Sequence, residues 1–286
     1  MHSLPDKPAW LSRVAILGVG LLGGSVGMSL RRSGIHVRGY SRRQSSCQDA
    51  IAAAAVDDAF TDLATACEGC QVVVIAAPVD KIAELAIAAN DCLAADALIT
   101  DVGSTKARIV AEIESLSPAT SQKFVAAHPI AGSEKTGVQN ACPDLLDGKA
   151  VILTPGADTA TASLDRAKAF WRQTGGRILT MTPQQHDDRL AAVSHLPHLV
   201  SSLLASLLDE PSMPLIGSGW KDMTRVASGD PTMWTAICQH NRDAILAQID
   251  RLSAELAVMR EKLADPDTTS LMQWLQDAKA RKDATQ

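Results

Sequence analysis

Short apolar segments alternate with longer amphipathic ones over the first two thirds of the chain. The apolar segments predict buried strands at 13–18, 36–40, 72–76, 97–100, 124–127, 150–153 and 177–181. Helical spacing lies between most of these strands, for example at 21–33, 80–90, 104–115 and 159–173. Because alternating strands and helices are typical of βαβ units, this α/β pattern predicts a doubly wound parallel sheet.

A second pattern begins after about residue 182, where the predicted strands end. Residues 183–208 have helical spacing, although Pro197 must kink or break a helix there. The change of pattern therefore predicts two domains, a sheet domain at 10–182 and an all-helical domain at 183–286.

The longest predicted helix begins at Asp230 and Pro231, because Asp is a good N-cap and Pro suits the first helical position. Apolar residues then recur at helical spacing as far as Leu263. Such a helix would have ~30 residues and measure roughly 45 Å, more than the width of a small helical domain. We therefore expect it to pack against a second copy of the chain.

Gly18, Gly20 and Gly23 form a GxGxxG sequence between the first predicted strand and the first predicted helix. In this context the glycines permit a tight turn, and the helix N-terminus offers free N–H groups to a pyrophosphate. A glycine-rich turn without a ligand is the alternative. The motif predicts a Rossmann-type dinucleotide site, to which Leu21 and Leu22 also belong.

The end of the second predicted strand bears on the choice of cofactor. NAD-specific sites usually carry Asp or Glu there, whereas this chain has Ser41, Arg42 and Arg43. A hydroxyl and two guanidinium groups suit a 2′-phosphate, so NADP is expected to be preferred over NAD. Two solvated surface arginines are the alternative. Ala77 and Pro78, after the strand at 72–76, are assigned to the same cofactor site.

Candidate catalytic residues follow two neighbouring predicted strands. Ser104 follows the strand at 97–100, and His128 follows the strand at 124–127. Ligands bind outside the carboxyl ends of the strands in open parallel sheets, so both side chains are expected in one crevice. Ser104 could instead serve only as a helix N-cap, and His128 could be structural. Arg225 is a candidate clamp for a carboxylate, or else part of a surface turn.

Composition narrows the classes of partner. With 3% aromatic residues and a net charge of -5, the chain lacks both stacking platforms and a cationic surface for nucleic acid. No stretch reaches the length of an apolar membrane span, and the first residues do not resemble a signal peptide. Neither the histidines near Pro197 nor the Cys67–Cys70 pair has further ligands placed for a metal. We therefore expect a cytoplasmic protein with a small-molecule substrate and no metal.

Five ordered segments together resemble the prephenate/arogenate (cyclohexadienyl) dehydrogenase family. They read GVGLLGGS, DVGSTKA, HPIAGSEKTGV, SHLPH and KDMTRVASGDPTMW, and the resemblance extends over about 13–263. It implies a Rossmann domain followed by a helical domain that forms an intertwined homodimer. It also implies hydride transfer from the ring carbon bearing the hydroxyl to a nicotinamide, with loss of the ring carboxylate as CO₂.

The resemblance also implies roles for individual residues. His128 matches the catalytic histidine that takes the proton of the ring hydroxyl, and Ser104 matches the serine that positions this histidine and the substrate. Arg225 matches the arginine that binds a substrate carboxylate. The other residues that match the lining of the substrate pocket are His198, Glu134 and Trp234.

Prephenate is the expected substrate, because the HPIAGSEKTG segment looks like the common bacterial prephenate form; arogenate is the alternative. Another Rossmann oxidoreductase, such as a β-hydroxyacid dehydrogenase or a pyrroline carboxylate reductase, is the next candidate. The former uses a catalytic Lys, for which Lys221 is the candidate in a differing motif. A dinucleotide-sensing regulator is the non-enzyme alternative, and it would need no base at His128.

Overall fold

The computed structural model of the chain describes residues 5–132 and 135–285. The chain forms two compact units, one ending at Asn241 and one beginning at Arg242. The strands, all in the first unit, are β1 (Arg13–Leu17), β2 (His36–Tyr40), β3 (Asp58–Phe60), β4 (Val72–Ile75), β5 (Leu98–Asp101), β6 (Phe124–Pro129), β7 (Ala150–Pro155) and β8 (Arg177–Thr180).

The helices of the first unit are α1 (Leu21–Arg32), α2 (Gln44–Ala52), α3 (Leu63–Cys67), α4 (Ile82–Asn90), α5 (Ala107–Leu116), α6 (Pro118–Lys123), α7 (Thr161–Arg172), α8 (Pro183–Leu190), α9 (Leu196–Ser206), α10 (Ser218–Thr224) and α11 (Pro231–His240). The second unit contains α12 (Arg242–Ala264) and α13 (Thr269–Asp283), which pack on each other. Among the described residues, no helix combines the length and apolar character that a membrane crossing requires.

The strands form one eight-stranded sheet in the order β3-β2-β1-β4-β5-β6-β7-β8. The order in which successive strands are added reverses between β1 and β4, which is the switch point of a doubly wound dinucleotide-binding sheet. The predicted Rossmann-type sheet followed by helices is therefore confirmed. The structure adds β3, a three-residue edge strand that is too short and too exposed to stand out as an apolar segment.

The last two strands, β7 and β8, run in the opposite direction to β1–β6 and so depart from the predicted parallel arrangement. β7 is antiparallel to β6, while the other neighbouring pairs are parallel. Parallel neighbours need a crossover connection that is usually a helix. The described part of the connection between β6 and β7 contains only the short 3-10 turn Val138–Asn140, so the chain returns in the opposite direction.

The apolar core lies on both faces of the sheet. Val72 and Val74 of β4 belong to the core on one face, and Val73 and Ile75 belong to the core on the other. Successive side chains of a strand point to opposite faces, so a strand covered on both sides must be apolar throughout. This is why the continuous apolar segment at 72–76 predicted a buried strand correctly.

The helical spacing over 183–208 corresponds to three pieces of helix. α8 leads into a π-helical turn at Ala191–His195, and α9 follows it. Pro197 is the second residue of α9, which directly follows this turn. The interruption predicted from Pro197 thus lies immediately before it, as a turn of widened helix.

The single helix predicted from Asp230 to Leu263 was wrong. Asp230 does cap a helix, accepting a hydrogen bond from the Met233 N–H at 2.8 Å, but that helix ends at His240. Asn241 separates it from α12 with a backbone of φ -117° and ψ 33°. Asn241 is buried, and its side chain is held by groups that are distant in sequence, which hydrophobic spacing cannot indicate.

Candidate active site

The glycine-rich turn between β1 and α1 is shaped by close backbone approaches. Gly18 has a φ of +100°, and a Cβ there would lie 2.3 Å from the carbonyl oxygen of Ala76. A Cβ at Gly23 would lie 2.1 Å from the carbonyl oxygen of Gly18. These two positions therefore exclude any larger residue, and the turn fits tightly against the end of β4.

Gly20 differs from its two neighbours because a Cβ there would meet open space. It is the N-cap of α1 and has no side chain to cap the helix. The first N–H groups of a helix have no intrahelical partner, so those of α1 are available to a ligand. Free N–H groups and the positive end of the helix dipole suit the pyrophosphate of a dinucleotide. Leu21 and Leu22 are half-buried in the first turn of this helix.

The other predicted cofactor residues lie at the ends of the two strands beside β1. Ser41 is half-buried after β2, and its Oγ accepts a hydrogen bond from the Arg43 N–H at 3.4 Å. Arg42 and Arg43 are exposed. Half-buried Ala77 and exposed Pro78 follow β4. The cofactor residues predicted from the sequence therefore share the carboxyl edge of β1, β2 and β4.

His128 lies near the end of β6 and begins a chain of hydrogen-bonded side chains. Its Nδ1 is 2.9 Å from Nε2 of His186, and Nδ1 of His186 is 2.7 Å from Oδ1 of Asp187. His186 and Asp187 belong to α8 and are buried. Asp187 also accepts hydrogen bonds from the N–H groups of Lys106 and Ala107, each at 2.8 Å.

With a neutral His186, these contacts determine which ring nitrogens carry hydrogen. A carboxylate accepts hydrogen bonds, so Nδ1 of His186 is its donor and Nε2 of His186 is left as an acceptor. Nδ1 of His128 must then donate to His186, which leaves a lone pair on Nε2 of His128. Burial is the largest cause that holds the pKa of His128 well below its usual 6.5, and electrostatic interaction with His186, Lys106 and His195 lowers it further. His128 is therefore a neutral imidazole with a basic Nε2.

The Asp187 carboxylate also corrects the prediction for Ser104. The helix expected to begin at Ser104 begins at Ala107, and Ser104 is not its N-cap. The first N–H groups of α5 are instead satisfied by Asp187 from α8. Ser104 is half-buried in the turn between β5 and α5, at the same edge of the sheet as His128.

A stacked pair of rings lies in the helical part of the first unit. His198 of α9 stacks on Trp234 of α11, with ring centroids 3.4 Å apart and planes 9° apart. His195 meets the same indole edge to face, with centroids 6.1 Å apart. Burial lowers the pKa of His198 and lowers that of His195 to about 4. These rings thus form a largely uncharged aromatic wall.

Arg225 and Glu134 are the remaining predicted substrate residues. Arg225 is exposed and begins a 3-10 turn, Arg225–Ser228, which packs against the helix that carries His198. Glu134 lies outside the described residues.

The buried cysteines have a non-catalytic environment. Burial raises the pKa of Cys67 to about 12 and that of Cys70 to about 11, so neither thiol is a ready nucleophile or metal ligand. Within 5–132 and 135–285, no three His, Cys, Asp or Glu residues are grouped as a metal site.

Sequence reasoning missed His186, Asp187 and Asn241. The Asn241 amide donates to the carbonyl oxygen of Asp187 at 2.8 Å and lies 3.1 Å from Nδ1 of His195. An adjacent His–Asp pair near the predicted domain boundary was the one available signal. It was weak, because nothing local indicates that Asp187 caps a helix 80 residues away.

Comparison with known proteins gives matches along nearly the whole chain. A family model described as prephenate dehydrogenase, nucleotide-binding domain, matches residues 26–180, and one described as prephenate dehydrogenase, dimerization domain, matches residues 182–277. The prephenate dehydrogenase of Bacillus subtilis is 31% identical, over 94% of this chain and 75% of the relative.

Two solved structures show the same architecture. The prephenate dehydrogenase of Aquifex aeolicus, in complex with hydroxyphenyl propionate and NAD⁺, is 32% identical with a TM-score of 0.89, covering 96% of this chain and 99% of the other. The arogenate dehydrogenase of Synechocystis is 27% identical with a TM-score of 0.80, covering 96% and 100%. The similarity therefore includes both the sheet and the helices that follow it.

Proposed function

The chain belongs to the prephenate dehydrogenase family, and we propose that it catalyses the oxidative decarboxylation of prephenate to 4-hydroxyphenylpyruvate, a step of tyrosine biosynthesis. The observation that carries this proposal is the chain from His128 through His186 to Asp187, which leaves a basic nitrogen at the carboxyl edge of the sheet. Family membership argues against the β-hydroxyacid and regulator alternatives. Arogenate remains the alternative substrate.

The proposed mechanism assigns proton transfer to His128. Nε2 of His128 accepts the proton of the ring hydroxyl while the carbon that bears it is oxidised. Nicotinamide, when bound, supplies the hydride acceptor, and loss of the ring carboxylate as CO₂ makes the ring aromatic. His186 and Asp187 stabilise the imidazolium that forms, because the carboxylate lies one ring away from the new charge. Ser104, at the same edge, is proposed to orient the hydroxyl.

Substrate binding is assigned to the helical part of the first unit. Prephenate carries two carboxylates, and a guanidinium can bind one of them with two parallel hydrogen bonds. We assign this role to Arg225, next to the helix of His198. The stacked rings of His198 and Trp234 supply a flat wall for the substrate ring. Glu134 is assigned to the same pocket from the family resemblance alone.

The cofactor is assigned to the glycine-rich turn, with NADP preferred over NAD. The turn and the free N–H groups of α1 fit the pyrophosphate of either cofactor. The preference rests on Ser41, Arg42 and Arg43, because charge-assisted hydrogen bonds to a 2′-phosphate contribute about 1.5–3 kcal/mol each. One such bond corresponds to a preference of about tenfold.

The cofactor preference is tested by kcat/KM for NADP and for NAD. The wild type should favour NADP, and a Ser41→Asp, Arg42→Ala double variant should reverse or abolish the ratio. Arg177→Ala, at an exposed position of β8 on the far edge of the sheet, is the control that should leave the ratio unchanged. A wild type that favours NAD would reject the assignment without affecting the family.

The domain arrangement is proposed to be 10–182 and 183–286, with a homodimer through the helical domain. The match to a dimerization domain supports this, as does the second unit, in which large apolar side chains of α12 and α13 are exposed in the single chain. We also propose that the protein works in the cytoplasm on a small molecule, without nucleic acid or membrane partners.

The function is tested by measuring the appearance of reduced nicotinamide with prephenate and, in parallel, with arogenate. Prephenate should be turned over faster, and His128→Asn should reduce turnover ~10²–10⁴-fold with little change in cofactor affinity. His36→Asn, at an exposed histidine paired with Asp58, is the matched control. No turnover of either substrate would reject the proposed function. Faster turnover of arogenate would make arogenate, and not prephenate, the assigned substrate.

A further inference from the structure

Asp101 and Lys106 form a completely buried ion pair at the carboxyl end of β5. Both side chains are inaccessible to solvent, and Nζ of Lys106 contacts Oδ2 of Asp101. The attraction within a buried ion pair often fails to repay the desolvation of its two charges. An apolar pair of similar volume would often be at least as stable, so the presence of these charges calls for a role other than stability.

The ion pair holds the residue that precedes His128 by both of its backbone groups. Oδ1 of Asp101 accepts a hydrogen bond from the Ala127 N–H at 2.9 Å, and Nζ of Lys106 donates one to the Ala127 carbonyl oxygen, also at 2.9 Å. The pairing of β5 with β6 ends at Val125. Beyond Val125, the two charged side chains therefore make the hydrogen bonds to β6 that β5 no longer makes, immediately before His128.

Lys106 is also linked to the His128 ring through Asp187 and His186. Its backbone N–H donates to Oδ1 of Asp187 at 2.8 Å, and the same oxygen accepts from His186, which holds His128. One residue thus contacts both the strand that carries His128 and the group that orients its ring. The turn is closed by the Gly103 N–H, which donates to Oδ2 of Asp101 at 2.8 Å.

We propose that Lys106, in its pair with Asp101, is a positioning residue for His128. It fixes the end of β6 through Ala127 and keeps a positive charge beside the ring. Its contacts, a carboxylate oxygen and a carbonyl oxygen, are both acceptors, which is the environment of an ammonium group. The catalytic meaning of this role rests on the proposed function, whereas its effect on the ring does not.

Electrostatics supports the geometry. The ionisable groups that act on His128 are His186 from α8, His195 from the π-helical turn and Lys106, and each of them lowers the pKa of His128 beyond the effect of burial. Burial lowers the pKa of Lys106 itself, while Asp101 and Asp187 act in the opposite direction. Loss of the Lys106 charge should therefore make His128 easier to protonate.

The test compares Lys106→Met with an Asp101→Asn, Lys106→Met double variant. The double variant leaves no unpaired buried charge. Its new amide oxygen can still accept from the Ala127 N–H, and its amide nitrogen then faces the Gly103 N–H that Oδ2 accepts in the wild type. The first readout is the NMR titration of the His128 Cε1–H, assigned by its loss in His128→Asn. The second is the pH profile of kcat. Ile113→Ala, at a buried position of α5, the helix that directly follows Lys106, is the control for a general loss of stability.

Lys106→Met should raise the titration midpoint of His128 by about 0.5–1 pH unit, the effect of removing one partly compensated charge nearby. The double variant removes two opposite charges and should raise the midpoint less. Both variants should also lower kcat about 10–10²-fold with little change in KM, as expected when a reacting group is displaced by up to an ångström. Ile113→Ala should lower the melting temperature without moving the midpoint. A wild type inactive on both substrates would reject the proposed function, and the titration would still test Lys106.

An unchanged His128 midpoint in folded Lys106→Met would overturn the proposal, as would a kcat of either charge variant no lower than that of Ile113→Ala. If neither charge variant folds while Ile113→Ala does, the pair is a requirement of the fold and the positioning role is likewise rejected.

Discussion

Asp187→Asn tests the hydrogen-bonded chain behind His128. In the wild type, three donors point at this carboxylate: the N–H groups of Lys106 and Ala107 and the Nδ1–H of His186. An amide in the same space has one acceptor and one donor group, so it cannot satisfy all three. Whichever way the amide turns, one buried N–H of α5 faces another donor.

The structure sets the size of the expected effects. Loss of one charge-assisted hydrogen bond at a buried helix N-terminus should lower the free energy of unfolding by about 1.5–3 kcal/mol. If the amide nitrogen faces His186, the tautomers of His186 and His128 both reverse, and Nε2 of His128 then carries hydrogen and cannot accept a proton. In either orientation the negative charge that stabilises the imidazolium is gone. We expect kcat to fall about 10²-fold or more.

The assay is steady-state turnover of prephenate, with cofactor affinity and thermal unfolding measured on the same preparations. Asp188→Asn is the matched control, because Asp188 is exposed on the same helix and accepts a hydrogen bond from Gln184 at 2.8 Å. It should leave kcat unchanged. If Asp187→Asn is as active as Asp188→Asn, Asp187 does not determine the tautomer of His128, and the argument for its basic Nε2 fails.

Three further outcomes are expected. Arg225→Ala should raise KM for the substrate by the equivalent of roughly 2–4 kcal/mol if its pair with the substrate carboxylate is desolvated, with little change in kcat. An unchanged KM would mean that Arg225 is only part of a surface turn. Sedimentation should give about twice the 30.2 kDa of one chain, and a stable, active monomer would contradict the dimer. Because burial lowers the pKa of His195 from 6.5 to about 4, the unfolded chain binds an extra proton between these pH values, and about 3 kcal/mol of stability should be lost as the pH falls through this window. His195→Gln should reduce that loss of stability and His36→Gln should not. Equal losses in the two variants would reject the assignment of the loss to His195.

The parts of the fold that the sequence predicted correctly are those decided by local patterns. The apolar segment of β4 is continuous because both of its faces are covered, and the GxGxxG turn is glycine-rich because Gly18 and Gly23 have no room for a side chain. The carboxyl-edge position of His128 followed from its place directly after the apolar segment at 124–127. Each of these features is encoded within about a dozen neighbouring residues.

The parts that were wrong depend on partners distant in sequence. Ser104 looked like a helix N-cap because it precedes an amphipathic segment, yet the cap is Asp187, 80 residues from Ala107. The directions of β7 and β8 were wrong because parallel and antiparallel buried strands have the same apolar pattern. Hydrophobic periodicity reports which face of an element is buried. It does not report which polar group satisfies the end of a helix.

The break between α11 and α12 at Asn241 is coupled to the arrangement of the site, because the same Asn241 side chain takes part in both. A continuous helix would have satisfied the apolar spacing from Pro231 to Leu263, but the Asn241 side chain donates to the carbonyl oxygen of Asp187 and faces Nδ1 of His195. The carbonyl oxygen can only accept, so the amide nitrogen must face it, and Nδ1 of His195 must accept from the same nitrogen. Asp187 is thereby held by its backbone from one side, while its carboxylate fixes His186 and α5 on the other. The buried hydrogen bonds of Asn241 offset the loss of helical continuity, and they leave Asp187 with one orientation, which the tautomer of His128 requires.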